Sequence, residues 1–203
     1  EFAQGHVYRK GCQSGEPVLT LGEVLGLAGP ASRYNQGEVG LEATYYFQST
    51  HECYPCGAHA VHVAVDPDTG KIDILKYVIA EDVGHVINPL LLTGQVVGAA
   101  AQGVGATILE ELVYNDDGQP LAGTLMDYLL PTSMEVPDFE IAMLDLAPSP
   151  RNPLGAKGPG ETGIAATGAA LANAVSNALG VQVRELPLSP NKIRELIGRS
   201  LEP

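Results

Sequence analysis

Apolar and polar positions nearly alternate from Ala58 to Val65, and a second apolar run extends from Ile72 to Ile79. Between them lies Asp66-Pro67-Asp68-Thr69-Gly70, so the pair predicts two strands joined by a tight turn. Strand formers also crowd Leu41–Gln48 and Phe139–Leu146. Asn88-Pro89 marks a break, after which GQVVGAAAQGVGATILEEL has helical spacing from Thr93 or Gly94 to about Leu112. The small-residue run from Thr162 to Leu179 predicts another helix, followed by a short strand near Val181. A last helix has Ser189 as N-cap, Pro190 at its first position and Gly198 just past its end. Near the start, Thr20 and Glu23 fit a capping box, and Gly26–Gly40 reads as a polar, glycine-rich loop. Asn115–Gly118 is a further turn. Hairpins set apart from helices indicate an α+β fold rather than a regular βαβ series.

Composition narrows the function classes. A chain of 203 residues with 45 % apolar and 5 % aromatic side chains can bury a core as one domain or two small ones. The formal net charge of −13 argues against non-specific binding to nucleic acid or to anionic membranes. No membrane span is expected, because the most apolar stretches are interrupted by Gln95, Gln102, Asn173 and Asn177. The first residue is Glu1 and no signal peptide is visible, so the chain reads as processed or as a piece of something longer. Three cysteines, Cys12, Cys53 and Cys56, do not make a disulfide framework, which points to a reducing, cytoplasmic setting.

The densest chemistry lies in Gly155-Ala156-Lys157-Gly158-Pro159-Gly160-Glu161-Thr162-Gly163. A single carboxylate, Glu161, sits among glycines at the start of a predicted helix, where backbone approaches a ligand closely and the helix dipole favours the ionised form. That suits a base better than a proton donor; the plain alternative is a tight turn with a capping glutamate. The order of residues is not that of a Walker A loop, because Lys157 precedes Gly158-Pro159.

Gln95 and Gln102 share a helix face with Gly98 and Gly105. They offer amides to a polar cofactor across a glycine-thinned surface, or they edge a helix packed tightly on its neighbour. Each glycine costs the helix about 1 kcal/mol relative to alanine, which close packing against backbone or ligand would offset. Asp82, His85 and Asn88 form either a polar site at a strand end or a set that orders a loop.

His51, Cys53, Cys56, His59 and His62 are the one cluster with metal-ligand residue types. If Ala58–Val65 is a strand, His59 and His62 point to opposite faces and cannot share one ion. A redox Cys-x-x-Cys would lead into a helix, whereas this one leads into a strand. No metal ligands are therefore assigned.

Four blocks, in order, resemble the molybdenum hydroxylases, the family of xanthine dehydrogenase, aldehyde oxidases and aerobic carbon monoxide dehydrogenase. They are CGAHAVHVAVDPDTGKIDI, DVGHVINPLLLTGQVVGAAAQGVGATILEEL, GAKGPGETG and the ELPLSPNKIREL ending. The resemblance runs from about Leu41 to the C-terminus and is to the C-terminal portion of the large, molybdopterin-binding subunit. It implies a molybdopterin-binding domain over 41–203, with 1–40 a mixed segment continuing an upstream domain. It implies Glu161 as the catalytic base, Gln95 in contact with the pterin, Lys157 near the same site, and the backbone of Gly158 and Gly160 approaching the cofactor. Cys53 and Cys56 have no place in the family pattern.

The implied cofactor is molybdopterin-bound molybdenum, the cytosine dinucleotide being one of its forms, with iron–sulfur clusters and FAD on other domains or chains. The implied partners are the remainder of the large subunit, an iron–sulfur subunit and an FAD subunit; the implied substrate is a small molecule. In the family, a carboxylate deprotonates a molybdenum-bound hydroxyl, the oxygen attacks an electrophilic carbon, and hydride passes to the metal centre. Two other classes remain open at this stage: a non-catalytic partner subunit of the same fold, and a zinc or redox module built on Cys53 and Cys56.

Overall fold

In the computed structural model, which describes residues 2–10, 16–30, 32–33, 44–48 and 51–200, the predicted central hairpin forms. Asp66 organises its turn: the backbone carbonyl of Asp66 accepts from Gly70 N, and Oδ1 and Oδ2 accept from Asp68 N and the Thr69 hydroxyl at 2.9 and 2.7 Å. The chain divides into two compact units, Glu1–Gln48 and Ser49–Pro203.

The first unit holds three two-residue strands, β1 (Phe2–Ala3), β2 (His6–Val7) and β3 (Leu19–Thr20), paired antiparallel in that order. Helix α1 (Leu21–Leu27) follows with the predicted capping box: Glu23 N donates to Thr20 Oγ1 at 3.2 Å, and Thr20 N donates to the Glu23 carboxylate at 2.7 Å. Residues 44–48 form no strand, contrary to the expectation for Leu41–Gln48, whose first three residues lie outside the described part. Much of the Gly26–Gly40 loop also lies outside it.

The second unit is a three-stranded sheet covered on one side by helices. Strand β4 (Cys56–Val65) pairs antiparallel with β5 (Ile72–Asp82), and β6 (Phe139–Leu144) lies parallel on the other side of β5. Along β5 the inward positions are Tyr77, Ile79 and Glu81, all at or below 1 % exposure, so a carboxylate occupies the last apolar position of the strand. The crossover from β5 to β6 carries helix α2 (Pro89–Ile108), which buries Leu92, Val96, Ala100, Val104 and Ile108. These pack with Leu171 and Val175 of α4 (Thr167–Leu179) and Ile193 and Leu196 of α5 (Pro190–Ser200) in one core. Each of the leucine, isoleucine and valine side chains contributes roughly 1.5–3 kcal/mol on full burial.

Several boundaries differ from expectation for identifiable reasons. Asn88-Pro89 starts α2 rather than breaking the chain before it: the Asn88 side chain accepts from Leu91 N at 3.2 Å, and Pro89 takes the first helical position. The predicted Thr162–Leu179 helix is two helices, a single turn α3 (Thr162–Ala165) and then α4, separated at Ala166. No strand forms near Val181, where Val183 N donates instead to the Ser176 hydroxyl at 3.0 Å. Gly198 lies inside α5 rather than past its end. At 20 residues α2 is long and apolar enough to span a membrane by length and composition, which corrects the sequence expectation. Here it is the core helix of the second unit, with a full face buried by α4 and its neighbours.

Candidate functional site

The site grows from the C-terminal end of β5. Asp82, 6 % exposed, accepts from Gly84 N and Ala147 N at 2.9 Å each, and the Lys157 ammonium stands 3.4 Å from its Oδ1. The Gly84 hydrogen bond, reinforced by Lys157, holds the Asp82 carboxyl below the usual aspartate range. Both partners are about nine-tenths buried, so the pair is a structural tie rather than a surface ornament.

That tie stitches the Gly155–Gly163 stretch to the strand end. Lys157 N donates to Val83 O at 2.8 Å, and Gly155 O accepts from both His85 N and Ser149 N. Gly155 adopts φ +68°, a left-handed conformation that favours glycine, and a Cβ there would sit tightly at 3.1 Å from that of Pro148. Asp82 and Asn88 therefore order a loop and a helix start, while His85 reaches Asp145 at 3.2 Å on the surface.

Beyond Lys157 the stretch opens out. A Cβ placed on Gly158 or Gly160 would meet nothing within 4 Å, and both residues are exposed. Glu161 is exposed, occupies the N-cap position of α3 and makes no capping hydrogen bond, so the capping-glutamate alternative is not what the structure shows. Because α3 is only four residues long, the helix-dipole reasoning for Glu161 also lapses. What fixes this end is Gly163: a Cβ there would lie 2.6 Å from Val96 O and 2.9 Å from Ala99 Cβ, so α3 presses directly on α2.

That contact brings the neighbourhoods of Glu161 and Gln95 together, since Gln95 precedes Val96. Gln95 and Gln102 are exposed on α2, and Gly94 and Gly98 on the same face have no heavy atom within 4 Å of a would-be Cβ. Of the two glycines expected to thin the glutamine face, Gly98 is open and Gly105 is not, so the helix glycines divide. Gly103 and Gly105 face the protein, against Thr167 and against Glu110 and Pro131. Lys157 does not join this open face; its charge is spent on Asp82.

Among the described residues, no three His, Cys, Asp or Glu side chains converge as metal ligands. His59 bonds the Tyr77 hydroxyl at 2.9 Å, and burial pulls its pKa down, whereas His62 is on the exposed face of β4. Cys53 and Cys56 are free thiols; Cys53 accepts from the Ser149 hydroxyl at 2.9 Å beside a pocket of about 370 Å³ bounded by Tyr54, Arg151 and Lys157. Sequence reasoning missed Glu81, although the period-two pattern through Tyr77 and Ile79 already placed it on the apolar face.

The exposed groups at this end of the unit are thus the Glu161 carboxylate, the Gln95 amide and the uncrowded backbone of Gly158 and Gly160. The profile of the molybdopterin cofactor-binding domain family matches residues 1–137, starting forty residues before the resemblance seen in the sequence. The chain is 42 % identical over 178 residues to the gamma subunit of the 6-hydroxypseudooxynicotine dehydrogenase complex of Paenarthrobacter nicotinovorans, which covers 86 % of this chain and 22 % of that protein. Its fold matches a crystal structure of Cu,Mo-CO dehydrogenase with a TM-score of 0.80 at 29 % identity, covering 90 % of this chain and 23 % of that one. Quinoline 2-oxidoreductase from Pseudomonas putida 86 matches with a TM-score of 0.67 at 41 % identity, over 70 % of this chain and 18 % of that one. The chain thus spans about a fifth of the length of these relatives. With an α+β fold similar to these structures, it belongs to the molybdopterin cofactor-binding domain family.

Proposed function

We propose that this chain supplies the general base and part of the pterin cradle of a molybdenum-cofactor-dependent oxidoreductase that hydroxylates or dehydrogenates a small molecule at an electrophilic carbon. It works only together with the rest of the large subunit and with iron–sulfur and FAD partners. When bound, the molybdenum cofactor, as molybdopterin or its cytosine dinucleotide, supplies the oxidising centre and the activated oxygen. Glu161 takes up the proton released there, at a carboxylate oxygen. Gln95 offers its amide to the pterin from the exposed face of α2. Gly160 leaves its backbone N–H open to the same ligand, and uncrowded Gly158, whose N–H reaches Cys53 O at 3.4 Å, lets the backbone come close to it. Lys157, through Asp82, keeps the loop in register with β5.

The observation that carries this reading is the state of Glu161. Its carboxylate caps nothing, yet the loop that bears it is pinned on one side to Val83 and on the other to α2 through Gly163. A side chain free to accept a proton on a fixed support is what general-base catalysis requires.

In the assembled enzyme, Glu161→Gln should lower turnover by about 10²- to 10⁴-fold, the usual worth of a positioned base, with molybdenum and pterin content unchanged. Near-wild-type turnover would sink the assignment. In parallel, Gln95→Leu should reduce pterin and molybdenum per mole of enzyme, and an unchanged content would count against a cofactor contact.

A further inference from the structure

Glu81 is 1 % exposed, and its Oε1 has neither solvent nor a hydrogen-bond partner. Its other oxygen, Oε2, lies 2.7 Å from the Thr162 hydroxyl, which in turn lies 2.9 Å from the carbonyl oxygen of Pro159. A threonine hydroxyl carries one proton. It cannot donate to Glu81 and to Pro159 at once, and the Pro159 carbonyl has no proton to give.

One arrangement gives each proton a single acceptor and leaves Oε1 as a neutral carbonyl oxygen rather than a buried anionic one. Glu81 Oε2 carries the proton and donates it to Thr162 Oγ1, and Thr162 donates to Pro159 O. An ionised Glu81 would compete with Pro159 for the single threonine proton and would leave Oε1 as a buried anionic oxygen with no donor.

No counter-charge argues otherwise among the described residues. On its own strand, the neighbouring Asp82 is already tied to Lys157 from the loop. Across the sheet, β4 offers His59, which is bonded to Tyr77, and β6 offers Glu140, which is paired with Lys76 at 2.9 Å. Helices α2 and α4 carry no charged residue, and Glu161 beside α3 is itself an acid. Burial pushes the Glu81 carboxyl up, opposed only by the Thr162 hydrogen bond. Gly57, its partner across the sheet, has no room for a Cβ, which would stand 3.1 Å from Glu81 Cγ and 2.8 Å from Ala80 O.

We propose that Glu81 is a neutral carboxylic acid that, through Thr162, locks the Pro159 carbonyl and so positions the Gly158–Glu161 segment. It is a positioning residue: it touches the loop, not the reacting atoms. Ionisation would turn the Thr162 proton towards Glu81 and release Pro159. Only the consequence for turnover depends on Glu161 being the base.

Infrared difference spectra of the assembled enzyme at neutral pH, wild type minus Glu81→Gln, test this directly. One protonated-carboxyl carbonyl band should be present in the wild type and lost in the variant. Thr162→Val should keep that band and shift it to higher wavenumber, because the acid loses its acceptor. Absence of the band, or a band that Thr162→Val leaves in place, overturns the proposal. Turnover gives the second readout: Glu81→Gln, whose amide N–H replaces the acid proton, should retain activity and lose the wild-type decline at alkaline pH. An alkaline limb unchanged in Glu81→Gln would also overturn it. Glu161→Gln should leave the band intact, so an active Glu161→Gln enzyme with the band present refutes the role of Glu161 and not that of Glu81.

Discussion

The two halves of the Gly155–Gly163 stretch behave oppositely although their compositions are alike. From Gly155 to Lys157 the backbone is bonded to Val83, His85 and Ser149, and the lysine charge is buried against Asp82. From Gly158 to Glu161 the carbonyls of Pro159 and Glu161 accept from Thr162 and from α3, but Gly158 N reaches Cys53 O only at 3.4 Å and no side chain crowds Gly158 or Gly160. The first half is held by bonds to distant parts of the fold, whereas the second half is bonded mostly to its own neighbours and leaves both glycines and the Glu161 side chain exposed. The lesson is one of preorganisation. An open segment holds its aim only when the residues just before it are over-determined by the scaffold.

The comparison breaks most severely at Gly84. Its φ of +63° belongs to the left-handed region, and a Cβ there would stand 2.1 Å from Gly155 O, the atom that accepts from His85 and Ser149. Gly84→Ala therefore combines a left-handed penalty of about 1–2 kcal/mol with an overpacking cost of about 1–3 kcal/mol. Thermal or denaturant unfolding of the assembled enzyme should show a loss of roughly 3 kcal/mol. A loss below about 0.5 kcal/mol, the range of an ordinary surface change, would mean that the first half is not anchored there.

Titration offers a gentler way to loosen the same anchor. The Asp82 carboxyl is held low by the Gly84 hydrogen bond and by Lys157, so its contribution is complete above the unperturbed aspartate value of about 3.9 and is lost as pH falls through its lower folded value. Its neighbour Glu81 has the opposite sign. A carboxyl raised by burial weakens the fold progressively as pH climbs above the unperturbed glutamate value of about 4.3. Melting curves against pH should separate them: Asp82→Asn flattens the acid side of the wild-type profile, and Glu81→Gln flattens the side above it. An Asp82→Asn profile parallel to wild type in acid would show that the tie carries no linkage.

Much of this was legible in the sequence. The Asp66–Gly70 turn, the β4–β5 pairing and the Thr20–Glu23 box follow from local chemistry, because turn and cap residues act on their own backbone. Glu161 and Gln95 stood out for the same reason, each being a polar group amid glycines. What local chemistry does not encode is which contact a segment meets in space. Asn88-Pro89 reads equally as a break or as a helix start, and only the capped α2 decides it. The split at Ala166 follows from two different supports, α3 seated on α2 through Gly163 and α4 lying along β4. The family resemblance puts Lys157 near the cofactor, while its pairing with Asp82, 75 residues away in the chain, is invisible to local chemistry.

The smallest structural effect should come from the open half, and that is what makes it informative. Gly158 and Gly160 lie outside the left-handed region and have nothing within 4 Å of a new Cβ. Replacing either with alanine should leave unfolding within about 0.5 kcal/mol of wild type, or raise stability by about 0.4–1 kcal/mol through the less flexible unfolded chain. If the backbone there approaches the cofactor, the same methyl group intrudes on the ligand, and molybdenum and pterin content should fall although the fold is untouched. Gly155→Ala, three residues earlier, should do the reverse, costing stability first. Were Gly160→Ala to leave both stability and cofactor content unchanged, openness at that position would no longer argue for a ligand, and Glu161 would have to be placed by α3 and Gly163 alone.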